Sequence, residues 1–233
     1  MRHGQRIGVV IPALNEEQAI GRVIADIPTW VDEIVVADNG SRDATAAVGR
    51  AAGARVVSER ERGYGAACQA GIGALRSPDI VVFLDGDYSD RPQEMAELVD
   101  PITAGEADFV VGSRVRGERE AGALTPQQRF GNWLACGLIR RLSGTHCSDL
   151  GPFRAIRANA LRALDLKDRA YGWTAEMQLK AAENGLRYLE VPVSYRARIG
   201  ASKISGTISG SLMAGITILT VIARAAWRAQ KSA

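Results

Sequence analysis

Histidine is nearly absent from the 233 residues: His3 and His146 are the only two. That scarcity excludes a histidine-ligated zinc site and leaves acid–base work to carboxylates. Cysteine is scarce as well, and Cys68, Cys136 and Cys147 show no Cys-x-x-Cys spacing; an odd, scattered set fits buried thiols in a reducing compartment. Neither charge sign dominates. Lys and Arg number 29 against 26 Asp and Glu, a net charge of +3, too little to argue for a nucleic-acid partner. A secretory leader is not expected either, because the short polar Met1 to Arg6 runs straight into a strand pattern, and a cytoplasmic location is the expectation. Long apolar runs are also missing. Residues 204–223 carry no charge but are rich in Ser, Thr and Gly, and the strongly apolar part, Leu212 to Ile222, is about half of the ~20 residues a spanning helix needs.

What is present is a hydrophobic content of 46%, enough for the two-sided sheet core of one α/β domain. Short β-branched runs at Arg6–Ile11, Glu33–Ala37, Arg55–Val57, Ile80–Leu84 and Phe109–Val111 are mostly separated by helical patterns, the alternation of a mostly parallel sheet. Asn15 with Gln18 predicts a capped start for the first helix, Gly53 an end for the second, and Pro92 the first turn of another. Thr125, Pro126 and Gln128 predict the start of a longer helix running to about Leu142. The charged, glycine-containing stretch Val115 to Ala123 has no periodicity and reads as a mobile loop. Beyond Gly151 the pattern suggests a strand at Phe153–Ile156, a helix around Ala175–Glu183, and Tyr188–Tyr195 interrupted by Pro192. In the C-terminal helix Leu212, Ile216, Leu219 and Ile222 recur at helical spacing, and Arg224, Trp227, Arg228 and Lys231 follow. That helix is expected to pack on the sheet, to contact a second copy of the chain, or to rest on an anionic membrane surface.

The chemistry concentrates where strands end. Phe83-Leu84-Asp85-Gly86-Asp87 closes a hydrophobic run with two carboxylates two residues apart, which strand periodicity aims to one side. Hard cations such as Mg²⁺ or Mn²⁺ take carboxylate oxygens together with phosphate oxygens, so this end suits a metal held against a diphosphate; solvated turn carboxylates are the alternative. Asp38 ends the second strand and is followed by Asn39-Gly40-Ser41-Arg42-Asp43, where Ser41 or Asp43 also suits a helix cap. Pro12-Ala13-Leu14-Asn15-Glu16 ends the first. In an open α/β sheet the ligand crevice lies outside these carboxyl ends. Gly63-Tyr64-Gly65 resembles part of a dinucleotide fingerprint, but the third glycine and the acid at the required spacing are missing, which argues against hydride transfer.

In order, Pro12-x-x-Asn15-Glu16, Asp38-x-Gly40-Ser41-x-Asp43-x-Thr45, Gly63-x-Gly65-x-Ala67, Asp85-x-Asp87 and Gly112-Ser113-Arg114 resemble the nucleotide-sugar half of family 2 glycosyltransferases. Asp149-Leu150-Gly151-Pro152-Phe153-Arg154, Trp173-Thr174-Ala175-Glu176-Met177, Glu190-Val191-Pro192-Val193 and Ser202-Lys203 are similar to the branch that makes polyprenyl-phosphate sugars. The resemblance spans Arg6 to Lys203 and implies a Rossmann-like GT-A fold, with residues 1–203 as one domain: a nucleotide-sugar half at 6–114, an acceptor half at 115–203, and a C-terminal helix at 204–233. Two positions depart from the family pattern: Asn39 stands where an acid is common, and Pro152 where a glycine is usual.

The resemblance further implies inverting transfer from a UDP- or GDP-sugar, with Mg²⁺ or Mn²⁺ held by Asp87 and Asp85. Pro12, Asn15, Glu16, Asp38, Gly65, Asp85 and Gly86 are then donor-binding residues, assisted by Arg114, Arg198 and Lys203. A hydroxyl acceptor would need a general base, for which Glu176 and Asp149 are the candidates; a polyprenyl phosphate is already anionic and would not. Glu176 has a plainer reading as a partner of Lys180 four residues on. Rival readings are a non-catalytic nucleotide-sugar-binding or scaffold protein, opposed by the intact carboxylates, and nucleotidyl transfer, for which a basic glycine-rich phosphate loop near the first strand is lacking.

Overall fold

The computed structural model describes residues 1–200 and 208–232, the latter by backbone alone at 208–214 and 228–232. One seven-stranded sheet, in the order β3-β2-β1-β4-β6-β5-β7, organises it. The chain starts in the centre with β1 (Ile7–Ala13), then steps outward through α1 (Ile20–Ala25), β2 (Glu33–Asp38), α2 (Thr45–Ala51) and β3 (Arg55–Ser58). It returns through α3 (Tyr64–Ala74) to place β4 (Ile80–Phe83) on the other side of β1. After α4 (Met95–Thr103), β5 (Phe109–Ser113) and α5 (Pro126–Ser143), strand β6 (Arg154–Arg157) inserts antiparallel between β4 and β5. Helices α6 (Ala158–Leu164) and α7 (Trp173–Glu183), strand β7 (Tyr188–Pro192) beside β5, and α8 (Ile208–Ser232) complete the chain.

Strands β1, β4 and β5 are buried throughout, which is why they read as continuous apolar runs rather than alternations, whereas the edge strands β3 and β7 are partly exposed. Residues 7, 9 and 11 face one core with α1 and α4, and Val10 faces the other with α3 and α7. Because the order reverses between β1 and β4, a crevice opens at their carboxyl ends. The capping box at Thr125 and Gln128 is present as expected, as is Pro92 in the first turn before α4.

Three local expectations change. Asn15 does not cap α1, which begins at Ile20 without a side-chain cap; Asn15 stands at φ 52 and its Oδ1 accepts the Arg42 amide at 2.8 Å. Neither Ser41 nor Asp43 is the N-cap of α2. The aperiodic stretch after Arg114 is anchored: Glu120 N donates to Tyr195 O at 2.9 Å, Tyr195 N to Glu118 O at 2.8 Å, and Ala197 N to a Glu120 carboxylate oxygen.

The edge of the sheet depends on Asp108 at the start of β5. Its carboxylate takes Arg187 of the β7 approach and Arg157 of β6, and Arg187 chiefly holds its pKa down at about 2. A depressed carboxylate stabilises the fold above its unfolded pKa near 4, and that contribution is lost as pH falls through 2. Asp108→Asn is therefore expected to cost about 1–2 kcal/mol at neutral pH, after allowance for the exposed Arg187. The difference from the parent in denaturant melts should shrink as pH falls from 4 towards 2; a pH-independent difference would exclude this ion pair as its cause.

Candidate active site

The loops after β1 and β2 are stitched together by the residues whose order first drew attention. Asn15 N donates to Ser41 Oγ, Glu16 N to Thr45 Oγ1, Glu17 N to Asp43, and Ala44 N to Glu17. Asn15, Ser41, Asp43 and Thr45 thus build the frame that holds these two loops together. Asp38, buried at the end of β2, accepts the Ser41 amide.

Asn39 has a task that an acid could not perform. Its amide nitrogen donates to the carbonyls of Glu59 and Glu61, and its Oδ1 accepts the Gly63 amide at 2.9 Å. Two of these three bonds need a donor, so asparagine, not aspartate, fixes the turn into α3. The glycines of that turn lie directly under the 168–170 loop: a Cβ on Gly63 would sit 2.0 Å from Arg169 O, and one on Gly65 2.2 Å from Asp168 O.

A cavity of about 210 Å³ lies over these loops, lined by Pro12, Glu16, Asn39, Arg62, Tyr64, Asp85, Gly86, Asp87, Tyr171 and Arg198 among others. Asp85 and Asp87 line it, and Asp90 stands behind them, accepting the Asp85 amide. Burial first, then the neighbouring Asp87 and Asp90, pushes the Asp85 carboxyl well up, and burial raises Asp90 to about 7. Asp90 Oδ1 has no hydrogen-bond partner, whereas Asp87 is engaged by Ser89 and by Arg198 at 2.9 Å. This surplus of buried negative charge fits a divalent cation. Among the described residues no three Asp, Glu, His or Cys side chains form a complete metal shell, so two carboxylates plus ligand phosphates is the coordination on offer.

A second cavity, about 360 Å³, shares Tyr64, Asp85, Tyr171 and Arg198 with the first and extends between α5 and α8 past Leu124, Leu134, Ala135, Leu150, Ile218 and Leu219. Arg114 joins it to a third, about 510 Å³, beside Arg119, Arg129, Phe130, Trp133 and Arg140.

Both candidate bases are heavily engaged by neighbouring groups. Asp149 is fully buried and its oxygens accept the Arg114 amide, Nε and Nη2 at 2.7–2.9 Å. Burial opposes the Arg114 charge, but Asp149 outweighs it and keeps the guanidinium firmly protonated. Glu176 pairs with Lys180 as its spacing suggests, yet it is buried and also accepts the Lys167 and Asp168 amides, securing the loop over Gly63 and Gly65. Neither carboxylate lines any of the three cavities. Lys203 lies outside the described residues.

The model of glycosyl transferase family 2 matches residues 8–164. The chain belongs to that family. It is 34% identical to the dolichyl-phosphate hexose transferase of Haloferax volcanii over 88% of this chain and 89% of that protein. Identity to the undecaprenyl-phosphate mannosyltransferase of Micrococcus luteus is 32%, over 94% and 96%. The fold superposes on Mycobacterium tuberculosis glucosyl-3-phosphoglycerate synthase in complex with Mn²⁺, UDP-glucose and phosphoglyceric acid with a TM-score of 0.73 and 28% identity, covering 94% of this chain and 80% of that one. The GT-A architecture expected of the glycosyltransferase is thereby shown, and β6, unexpected in its antiparallel direction, belongs to the same sheet.

Tyr171, which borders two cavities, had no signal in the sequence, and Glu190 on β7, known there only as part of a motif, accepts the Ser148 and Asp149 amides. Their partners lie far away in sequence. Gly65→Ala is expected to destabilise the enzyme by about 1–3 kcal/mol through overpacking against Asp168 O, with faster hydrogen exchange at Lys167 and Asp168. Unchanged stability and protection would mean that the loop yields freely.

Proposed function

We propose that this family 2 glycosyltransferase transfers a sugar, with inversion, from a UDP- or GDP-sugar to a polyprenyl phosphate, with Mg²⁺ or Mn²⁺ as cofactor. The donor half of the reading rests on the carboxylates at the end of β4. Asp87 and Asp85 would hold the cation, which, when bound, neutralises charge on the departing nucleoside diphosphate. Arg198 lines both cavities and lies near both carboxylates, where it adds a fixed positive charge beside the diphosphate. The 6–114 half would then grip the nucleotide sugar and the 115–203 half the acceptor.

One observation carries the acceptor reading: of the residues lining the 360 Å³ cavity, Asp85 is the sole carboxylate, while Arg114 and Arg198 are cationic and the rest of the wall is largely apolar. A hydroxyl nucleophile would need a base here, and Asp149 and Glu176 are committed elsewhere. A phosphate oxygen already carries the electron pair that attacks the anomeric carbon, so orientation by the arginines suffices, and the apolar wall accommodates a prenyl chain. The reading also agrees with the activities for which the two lipid-phosphate relatives are named. A soluble acceptor is the second reading, favoured by the superposition on a synthase bound to phosphoglyceric acid.

A donor screen for slow metal-dependent hydrolysis, run without acceptor, separates enzyme from binding protein and identifies the nucleotide sugar. Asp87→Ala should abolish this turnover while leaving the fold intact; near-normal turnover at saturating donor would remove Asp87 from the site. Glu176→Gln should lower transfer to a polyprenyl phosphate by less than about tenfold. A loss of ~10²- to 10⁴-fold, the size expected for a missing general base, would overturn the lipid-phosphate reading in favour of a hydroxyl acceptor.

A further inference from the structure

Helix α5 exposes its two aromatics outright: Phe130 is 63% and Trp133 64% accessible, and their rings lie 5.9 Å apart. Helix α8 packs one face on α5 and α7 through Ile222 and Ala225 and turns Ile216, Leu219 and Trp227 outward. Packing against the domain and facing outward, alternatives in the sequence, are thus properties of opposite sides of one helix. No helix among the described residues is long and apolar enough to cross a membrane. Large aromatics left uncovered on neighbouring helices mark a contact surface.

Charge identifies what fits it. Between them α5 and α8 hold six of the 29 cations, Arg129, Arg140, Arg141, Arg224, Arg228 and Lys231, and none of the 26 acids, which leaves the remaining chain at 23 against 26. The chain is therefore polarised, with its positive excess on the helices that expose the aromatics. A two-fold dimer through this face would set the same cations against themselves, whereas anionic headgroups complement them.

We infer that α5 and α8 form one docking face for an anionic lipid bilayer, with Phe130 and Trp133 as its interfacial anchors. Basic residues draw the face to the surface, and the ring pair enters the boundary between headgroups and chains, where amphipathic aromatics settle. The 360 Å³ cavity opens between these helices, past Gln127, Gly131 and Leu219, so docking brings the lipid surface to its mouth. The inference deepens the acceptor reading by naming the surface from which a lipid phosphate would come, but attachment is measurable without transfer.

The test is co-sedimentation of the full chain with phosphatidylcholine vesicles, with and without phosphatidylglycerol. Binding should require the anionic lipid and fall as salt rises. Phe130→Ser with Trp133→Ser should weaken it by about tenfold or more, the scale of two partly inserted aromatics, and Arg141→Glu should weaken it further at low salt than at high. Both sites are exposed, so unchanged melting temperatures verify the fold. Failure of the parent to bind, equal binding by the aromatic double variant, or sedimentation velocity showing a dimer that this variant dissociates would each overturn the docking face. Transfer to a polyprenyl phosphate in neutral detergent micelles tests the acceptor separately: transfer without vesicle binding removes this inference alone, and vesicle binding without transfer removes the acceptor reading alone.

Discussion

Electrostatic repulsion where β4 ends is the constraint around which the domain is assembled. Asp85, Asp87 and Asp90 share a space in which burial already disfavours ionisation, and Asp149 lies within electrostatic reach of Asp90. Among the described residues Arg114 and Arg198 answer them, and Arg114 is already committed to Asp149. A nucleoside diphosphate entering such a site would add negative charge to a deficit of cations. On the proposed reading a divalent ion arriving with the donor would offset that charge, which would couple metal and donor binding.

The cations that do answer are held by a strap rather than by a helix. Arg196 places its guanidinium on the carbonyls of Tyr88 and Asp90 and over the Tyr88 ring, and the amides of Arg196 and Ile199 donate to Ser89 and Asp87. The same strap pairs through Tyr195 with residues 118–120. Arg198 is consequently fixed relative to the acids on the backbone level, and the stretch after Arg114, aperiodic in sequence, gains its order from partners about 75 residues away. Irregular backbone of this kind carries precision because its hydrogen bonds are satisfied by another irregular segment.

How much of this was legible follows from the distance over which each feature is specified. Strands β1, β4 and β5 were readable because each is buried throughout and so writes an uninterrupted apolar run. The carboxylates at the end of β4 were readable because two acids following such a run have a local meaning. The capping box at Thr125 is likewise complete within four residues. Asn15 misled because its partner, Arg42, is 27 residues on, and an asparagine before a helical pattern reads as a cap. The direction of β6 and the demand for glycine at positions 63 and 65 depend on segments distant in sequence, Gly63 meeting Arg169 and Gly65 Asp168, which no local pattern encodes. Asn39 looked like a loss of charge; its two donated hydrogen bonds show a gain of function for the turn.

The same distinction bears on the acceptor. In sequence, Asp149 and Glu176 are attractive bases because the chain has so little histidine. In three dimensions each is engaged by backbone amides and a cation, and neither lines a cavity. An acceptor that arrives ionised, as proposed, would need no base, and Arg114 and Arg198 in the wall of the 360 Å³ cavity would orient it. On that reading the scarcity of histidine is no deficiency, because a phosphate acceptor leaves no proton for a base to remove.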